Sequence, residues 1–179
     1  MTVRQLIYAP DHIFSQKAKS VDKVTDDIRN LIDDLFDTME FEKAVGMAAT
    51  MIGEMKRIIV VNLCPNGVDD KRSFINPEIT WKSKETETHT EASICFRGID
   101  AKITRPNKIK INYLDCNGKQ QEEEAEGFLA TVIQHECDYL DGKVFLDYLS
   151  KMKREMLVKK MQKFIKAHPP HIHNASCNH

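Results

Sequence analysis

The segment from Glu126 to about Leu140 places the tightest limit on how this chain can fold. Its centre reads FLATVI and is apolar around nearly the whole circumference that a helix would present. A helix of that kind has to be buried, so other elements must surround it. With 179 residues, the chain can bury about 70% of the surface that it exposes when unfolded. We therefore expect one core, built around this helix.

The rest of the pattern predicts an α+β fold, in which antiparallel strands pack around the buried helix. Apolar residues recur at helical spacing from Thr25 to Met39, and Thr25 or Asp26 is a suitable N-cap. Arg57–Leu63 is a β-branched run typical of a buried strand, FINPEITWKS resumes extended structure, and Asn117-Gly118 favours a hairpin turn. An amphipathic C-terminal helix is expected from Ser150 to about Lys166, with its methionines, Leu157, Phe164 and Ile165 on one side.

We divide the chain into a domain at 1–166 and a His-rich, flexible tail at 167–179. Pro169-Pro170 prevents the last helix from continuing into the tail. Within the tail, His171 and His173 with His168 or Cys177 form a possible site for zinc, nickel or copper. Disorder is the favoured interpretation, because closing such a site costs conformational entropy.

Charge and cysteine usage restrict the partners and the compartment. The net charge of -1 gives no general attraction to nucleic acid or to a membrane surface. The five cysteines are scattered without a CxxC pair, which suits a reducing cytosol. No apolar run reaches the 18 residues or so that a membrane-spanning helix needs. We expect a cytoplasmic protein with no membrane partner and no sequence-specific contact with nucleic acid.

Three short segments carry the features that point to a function. They are AVGMAATMIG at 44–53, EASICFRG at 91–98 and QHECDYLDG at 134–142. In order and spacing they resemble the three motifs of the peptide deformylases, GxGxAAxQ, EGCLS and QHExDHLxG. The resemblance extends over most of the chain and implies the deformylase fold.

The resemblance also implies a chemistry and a set of positions. Peptide deformylases remove the formyl group from the N-terminal formyl-methionine of nascent chains, with ferrous iron or zinc held by one cysteine and two histidines. On this chain the resemblance puts His135 at the first histidine and Glu136 at the glutamate that moves the proton. The cysteine position is Ser93 and the second histidine position is Tyr139. The glutamine that binds the oxyanion corresponds to Met51, beside the backbone N–H of Ile94.

These replacements all act against the family's reaction. Ser93 offers a neutral hydroxyl where the site needs a thiolate, and Tyr139 would bind as a phenolate only if its pKa fell well below about 10. Met51 has no N–H, and the loss of one oxyanion donor costs roughly 10²–10³ in rate. We predict a degenerate metal site with no metal, or with weakly bound iron, zinc or nickel, and with very weak activity or none.

The alternative is an active deformylase with unusual ligands, in which Ser93 or Cys95 joins His135 and Tyr139. Cys95 follows Ser93 by two residues, so on an extended strand it would face the same side, about 6–7 Å further along. Cys137 lies about 200° around the helix from His135 and would point away.

A peptide-binding role is compatible with both hypotheses, the degenerate metal site and the active deformylase. The resemblance implies that Val45, Gly46, Phe96, Arg97 and Gly98 line the substrate cleft, so N-terminal methionyl peptides are the expected ligands. Glu91, Arg97 and Asp138 also suit structural roles as polar groups that fix loops and orient their neighbours. The basic helix at 150–166 is typical of a solvated face, and in the family the corresponding helix can dock on the ribosome; contact with RNA would then depend on charge.

Overall fold

The computed structural model describes residues 1–64 and 67–169, and these form a mixture of α-helices and antiparallel strands, as the α+β prediction requires. The helices are α1 (Asp26–Phe41), α2 (Gly127–Leu140) and α3 (Lys151–Ala167). The strands are β1 (Gly46–Ala48), β2 (Ile58–Val61), β3 (Arg72–Lys82), β4 (Thr86–Ser93), β5 (Phe96–Pro106), β6 (Lys108–Leu114) and β7 (Gln120–Glu126). Short 3₁₀ turns at His12–Ser15, Ala49–Ile52 and Phe145–Tyr148 join them.

The described strands form two antiparallel sheets. The larger sheet has the order β1-β2-β3-β6-β7, and the smaller one is the β4-β5 hairpin. Strand β2 pairs with β3 through Ile58 opposite Ile75, and all four β2 residues are buried. Strands β6 and β7 join through a turn at Asn117-Gly118, where Gly118 has a φ of 76°. The predicted hairpin is therefore confirmed.

Helix α2 lies against both sheets. It contacts β1, β2, β6 and β7 of the larger sheet and β4 and β5 of the smaller one. Every residue from Ala130 to Cys137 is buried, as are Tyr139 and Leu140. The apolar segment at 126–140 is thus buried between the two sheets, as predicted. It places His135 and Glu136 in the core.

Two details of the helices differ from the sequence prediction. Thr25 occupies the N-cap position of α1, but its side chain makes no capping hydrogen bond. On α3 the expected apolar side is wrong for Met152 and Met156, whose side chains are 80% and 59% exposed. The buried residues of α3 are Leu157 and Met161. Met152 precedes Leu157 by five residues, which is about 140° around the helix, so the two cannot share one face.

The β4-β5 hairpin corrects the expected position of Cys95. Ser93 ends β4 and Phe96 begins β5, so Ile94 and Cys95 form the turn between the strands and do not lie on an extended strand. The backbone N–H of Cys95 folds back to donate to the Ser93 hydroxyl at 3.2 Å.

The proposed boundary at 166 falls one residue before the end of α3, and His168 follows as its C-cap. The tail residues His171, His173 and Cys177 lie outside the described residues, so the possible tail metal site stays a prediction. In the parts of the chain that are described, no helix has both the length and the apolar character needed to cross a membrane.

Candidate functional site

A cleft of about 410 Å³ opens between α2, strand β4 and the segment around β1. It lies where the three motif-like segments meet. Its walls are mainly apolar, from Val45, Met51, Ile94, Phe128 and Val132. The predicted site residues that line it are Val45, Gly46, Met51, Ser93, Ile94, His135 and Glu136.

A buried ion network holds His135 from behind. The Nδ1 atom of His135 lies 2.8 Å from Oε2 of Glu91. Arg105 donates to both oxygens of the same carboxylate, at 2.6 and 2.9 Å, and to Oδ2 of Asp138 at 2.8 Å. The structural roles expected for Glu91 and Asp138 are confirmed by these contacts. They fix the imidazole orientation because Glu91 is itself clamped by a bidentate guanidinium.

Arg105 and Tyr148 belong to this network, and the sequence prediction missed both. The guanidinium of Arg105 lies over the Tyr148 ring, 4.5 Å from its centroid, and the Tyr148 hydroxyl donates to Asp138 at 3.1 Å. A signal for Arg105 was present: Ile99, Ala101 and Ile103 alternate inward along β5, and Arg105 continues that register. A charged residue at an inward position indicates a buried partner.

The pKa values within the network follow from burial and pairing. Burial alone would raise the pKa of Glu91, but hydrogen bonds from His135 and Arg105 outweigh it and hold that pKa below its usual range. The pKa of Arg105 is raised because its bonds to Glu91 and the nearby charge of Asp138 outweigh burial. Glu91 is therefore a carboxylate at neutral pH.

Glu136, the next residue on α2, is in the opposite situation. Its side chain is buried, and its Oε2 atom has no hydrogen-bond partner within residues 1–64 and 67–169. Burial raises its pKa to about 7. Gly46 approaches the same carboxyl so closely that an added Cβ would lie 2.8 Å from Oε1 of Glu136 and from Cγ1 of Val132. Glycine at position 46 keeps this end of the cleft open.

Ser93 and Tyr139 bond to each other. The Tyr139 hydroxyl donates to the Ser93 Oγ at 2.7 Å, across 46 positions of sequence. Tyr139 is fully buried, and its ring packs against Phe14 and His135. Burial raises the pKa of Tyr139 well above its usual 10. Each of the two hydroxyls therefore has a hydrogen-bond partner in the other.

Met51 lines the cleft, whereas Cys95 lies in the β4-β5 turn and is not one of the residues that line it. The Cys95 side chain is fully buried, and burial, followed by the nearby Glu136 charge, raises the pKa of its thiol. Met51 is buried in the 3₁₀ turn that follows β1, where its carbonyl accepts from the Ile7 N–H at 2.8 Å. Its thioether supplies no donor to the cleft.

The other three predicted substrate contacts lie elsewhere. Phe96 packs in the core against Phe14 and Phe145. Arg97 lies over the rings of Tyr8 and Phe164 and donates to the His168 carbonyl at 2.9 Å, so it caps the end of α3.

Gly98, with a φ of 75°, faces α3. An added Cβ there would lie 2.3 Å from the Phe164 ring. Arg97 and Gly98 do line a second cleft, which shares Ser93 and Ile94 with the first. Their positions therefore favour the packing of α3 over a contact in the main cleft.

Comparison with known proteins identifies the family. The model of the polypeptide deformylase family matches residues 3–155. The chain belongs to the peptide deformylase family. It is 53% identical over 175 residues to a peptide deformylase-like protein of Rickettsia conorii, covering 98% of this chain and 96% of that protein. It is 40% identical to a peptide deformylase of Phenylobacterium zucineum, covering 93% and 99%.

The fold of this deformylase family member agrees with solved structures. The crystal structure of the Ehrlichia chaffeensis peptide deformylase in complex with actinonin superposes with a TM-score of 0.87 at 36% identity, covering 95% of this chain and 100% of that one. In the described ranges, 1–64 and 67–169, no group of three or more His, Cys, Asp or Glu side chains is arranged to hold a metal ion.

Proposed function

We propose that this chain is a deformylase-fold protein that retains the cleft for N-terminal methionyl peptides but does not carry out metal-dependent deformylation. The observation that carries the proposal is the hydrogen bond between the Tyr139 hydroxyl and the Ser93 Oγ, at 2.7 Å. These are the two positions where the family resemblance calls for a histidine and a cysteine ligand.

The chemistry of these donors argues against a divalent ion. Metal ligands bind in their deprotonated form, as thiolate, neutral imidazole or carboxylate. Tyr139 and Ser93 are hydroxyls, and burial opposes ionisation of the tyrosine. To coordinate an ion, both would have to break the bond they share, and Tyr139 would have to lose its proton. His135 would remain as a single favourable ligand.

The rival function is deformylation with Cys95 or Ser93, His135 and Tyr139 as ligands. Cys95 is near enough to Tyr139 for their charges to interact. Its thiol, however, is buried and its pKa is raised, which opposes the thiolate that a metal needs. Iron, zinc and nickel are the ions to test for this rival.

Peptide binding is supported by the shape and composition of the cleft. Its apolar walls suit an unbranched side chain such as that of methionine, and Gly46 leaves room beside Glu136. We place the protein in the cytoplasm, a reducing compartment that suits the free Cys64, Cys95, Cys116 and Cys137.

A ribosome contact through α3 is part of the same proposal. Its basic side chains are all exposed: Lys151, Lys153, Arg154, Lys159, Lys160, Lys163 and Lys166. Such a surface suits contact with RNA phosphates and should release at high salt. Cosedimentation with ribosomes at low salt, lost on replacing three of these lysines by glutamine, is the expected result.

The central experiment measures metal and activity on one anaerobic preparation. We expect iron, zinc and nickel well below one ion per chain, and no hydrolysis of a formyl-methionyl tripeptide. Ser93→Cys with Tyr139→His should bind metal, and the addition of Met51→Gln should give activity. A stoichiometric ion in the unmodified protein, with turnover that Glu136→Gln abolishes, would overturn the proposal in favour of the rival.

A further inference from the structure

The second cleft, of about 480 Å³, lies beside the end of helix α3. Three aromatic side chains line it, Tyr8, Phe41 and Phe164, and the side chain of Phe41 is half exposed to solvent. Grooves lined by aromatic rings are the surfaces on which proteins bind proline-rich segments, because the flat rings pack against pyrrolidine rings. The composition of this cleft therefore suits a segment that contains proline.

The last described residues of the chain lie at the rim of this cleft. The ring of His168 stacks on the Phe164 ring, with 4.6 Å between the centroids. The carbonyl of His168 accepts a hydrogen bond from the Arg97 guanidinium at 2.9 Å. Phe164 and Arg97 both line the cleft. The start of the C-terminal tail is thus held beside it, and the chain continues to residue 179.

The sequence that follows His168 has the composition that such a groove binds. It reads PPHIH at 169–173, and Pro169-Pro170 is the only pair of adjacent prolines in the chain. Adjacent prolines favour the polyproline II conformation, in which five residues extend about 15 Å. This length is enough to cross a cleft of about 480 Å³. Because the prolines preset the conformation, binding costs less entropy than it would for an unrestrained segment.

The polar group of the cleft wall also matches this segment. Glu42 lines the cleft, and its charge, after burial, raises the pKa of the Tyr8 hydroxyl, so the two side chains are close. His171 and His173 supply imidazole N–H groups directly after the prolines. An imidazole can donate to a carboxylate whether it is neutral or protonated. The segment therefore brings a donor for Glu42 together with apolar rings for the aromatic wall.

The short connection from His168 makes a weak contact sufficient. A segment on a short flexible connection experiences an effective concentration in the mM range. An intrinsic Kd of about 1 mM would then keep the segment bound for about half of the time. A free peptide of the same sequence would need a much higher affinity to compete.

We propose that the second cleft binds the C-terminal tail of the same chain, through residues 169–173. The proline rings pack on Tyr8 and Phe41, and one of the two following histidines donates to Glu42. Because Ser93 and Ile94 line both clefts, the bound tail borders the main cleft. Tail binding goes beyond the proposed function and does not require that the main cleft binds a peptide.

Nuclear magnetic resonance of the isotope-labelled full chain tests this contact. Backbone order parameters should exceed about 0.6 at 171–173 and fall below that value at 178–179, because values below about 0.6 mark flexible backbone. Nuclear Overhauser contacts should join the ring protons of Tyr8 or Phe41 to those of Pro170. Order parameters below about 0.6 at 171–173, or the absence of these contacts, would overturn the proposal.

Two matched double variants of the full chain test the role of the prolines. Pro169→Gly with Pro170→Gly removes both rings and the preset conformation, so the order parameters at 171–173 should fall below about 0.6 and the contacts should disappear. Ala175→Gly with Ser176→Gly changes the same number of residues further along the tail and should leave both readouts unchanged. All four positions follow the end of α3 at Ala167. High order parameters that persist without the prolines would contradict the proposed contact.

A mixture of labelled and unlabelled chains identifies which tail occupies the cleft. Overhauser contacts that remain within one chain and do not change on tenfold dilution support the proposal. Contacts between a labelled and an unlabelled chain would show that the tail of a second copy binds in the cleft, and would overturn the assignment to the same chain.

Discussion

Two neighbouring residues of α2, His135 and Glu136, are supported in opposite ways. His135 bonds to a carboxylate that a bidentate guanidinium holds in place, and the guanidinium in turn holds Asp138. Glu136 has apolar neighbours and a pKa of about 7, and its Oε2 atom has no partner in the part of the chain that the structure describes. His135 is held by a network of paired charges, whereas Glu136 is surrounded mainly by the apolar walls of the cleft.

The network around His135 stabilises the fold, whereas the buried Glu136 carboxyl does not. The network joins β4, β5 and α2 through paired charges, so it contributes to the packing of the hairpin on the helix. Oε2 of Glu136 makes no such connection to any described residue, and burial of the charged carboxyl acts against stability. A destabilising group in a cleft is typical of a functional position.

The largest expected loss of stability comes from breaking the ion network behind His135. Arg105→Leu would leave the carboxylates of Glu91 and Asp138 without their partner, and removing one partner of a buried ion pair costs about 3–5 kcal/mol. Urea unfolding at pH 7 measures this loss. Arg154→Leu is the matched control, because Arg154 pairs with Asp147 at the surface. A surface pair contributes about 1 kcal/mol or less, so equal losses for the two variants would contradict the network.

The second effect has the opposite sign and depends on pH. The pKa of Glu136 is about 7 in the folded protein against its usual 4.5. Below pH 4.5 the group is protonated in both states. Between pH 4.5 and 7 the unfolded state releases this proton while the folded state keeps it, so the folded state loses stability across that range. Above pH 7 the group is ionised in both states and the loss is complete. Glu136→Gln should therefore stabilise the protein more at pH 8 than at pH 4, by about 3 kcal/mol at about 1.4 kcal/mol per pKa unit.

Unfolding free energies of the unmodified protein and Glu136→Gln, measured between pH 4 and 8, test this. Glu122→Gln removes an exposed carboxyl and controls for net charge. If the difference between the unmodified protein and Glu136→Gln is the same at pH 4 and pH 8, Glu136 is not a buried group with a raised pKa.

Helical and strand periodicity in the sequence was enough to predict the core elements. The segment at 126–140 is buried as α2, and Asn117-Gly118 forms the β6-β7 turn, because both signals are local. The β4-β5 hairpin was not identified. Strand β4 reads TETHTEAS and has no apolar alternation, and its only buried residue is Glu91, a charged side chain.

The site was predicted only in part, because sequence motifs are local and side-chain contacts between distant residues are not. Motif resemblance placed Gly46, Ser93 and Glu136 at one cleft, and they line it. It could not show that Tyr139 and Ser93 bond to each other, or that Oε2 of Glu136 has no partner among the described residues. Those facts depend on side-chain distances between residues far apart in sequence, which no local pattern encodes.

The smallest effect tests the hydroxyl pair, which resembles the closed network on a smaller scale. Tyr139→Phe removes the donor, while Ser93 keeps the Cys95 N–H as a partner. The loss should be about 1 kcal/mol. Ser93→Ala leaves the buried Tyr139 hydroxyl unsatisfied and should cost about 1–3 kcal/mol. With both changes no polar atom of the pair is left unmatched, so the double variant should lose less than the sum of the two, with a coupling of at least about 0.5 kcal/mol.

Metal content gives the same variants a second readout. If the pair is self-sufficient, Tyr139→Phe leaves the amount of bound iron, zinc and nickel unchanged, because no ion depends on the phenol. Additive losses in the double variant would show that the two hydroxyls do not interact. A fall in bound metal in Tyr139→Phe would instead make Tyr139 a ligand, and the cleft would then be a second closed polar site comparable to the one behind His135.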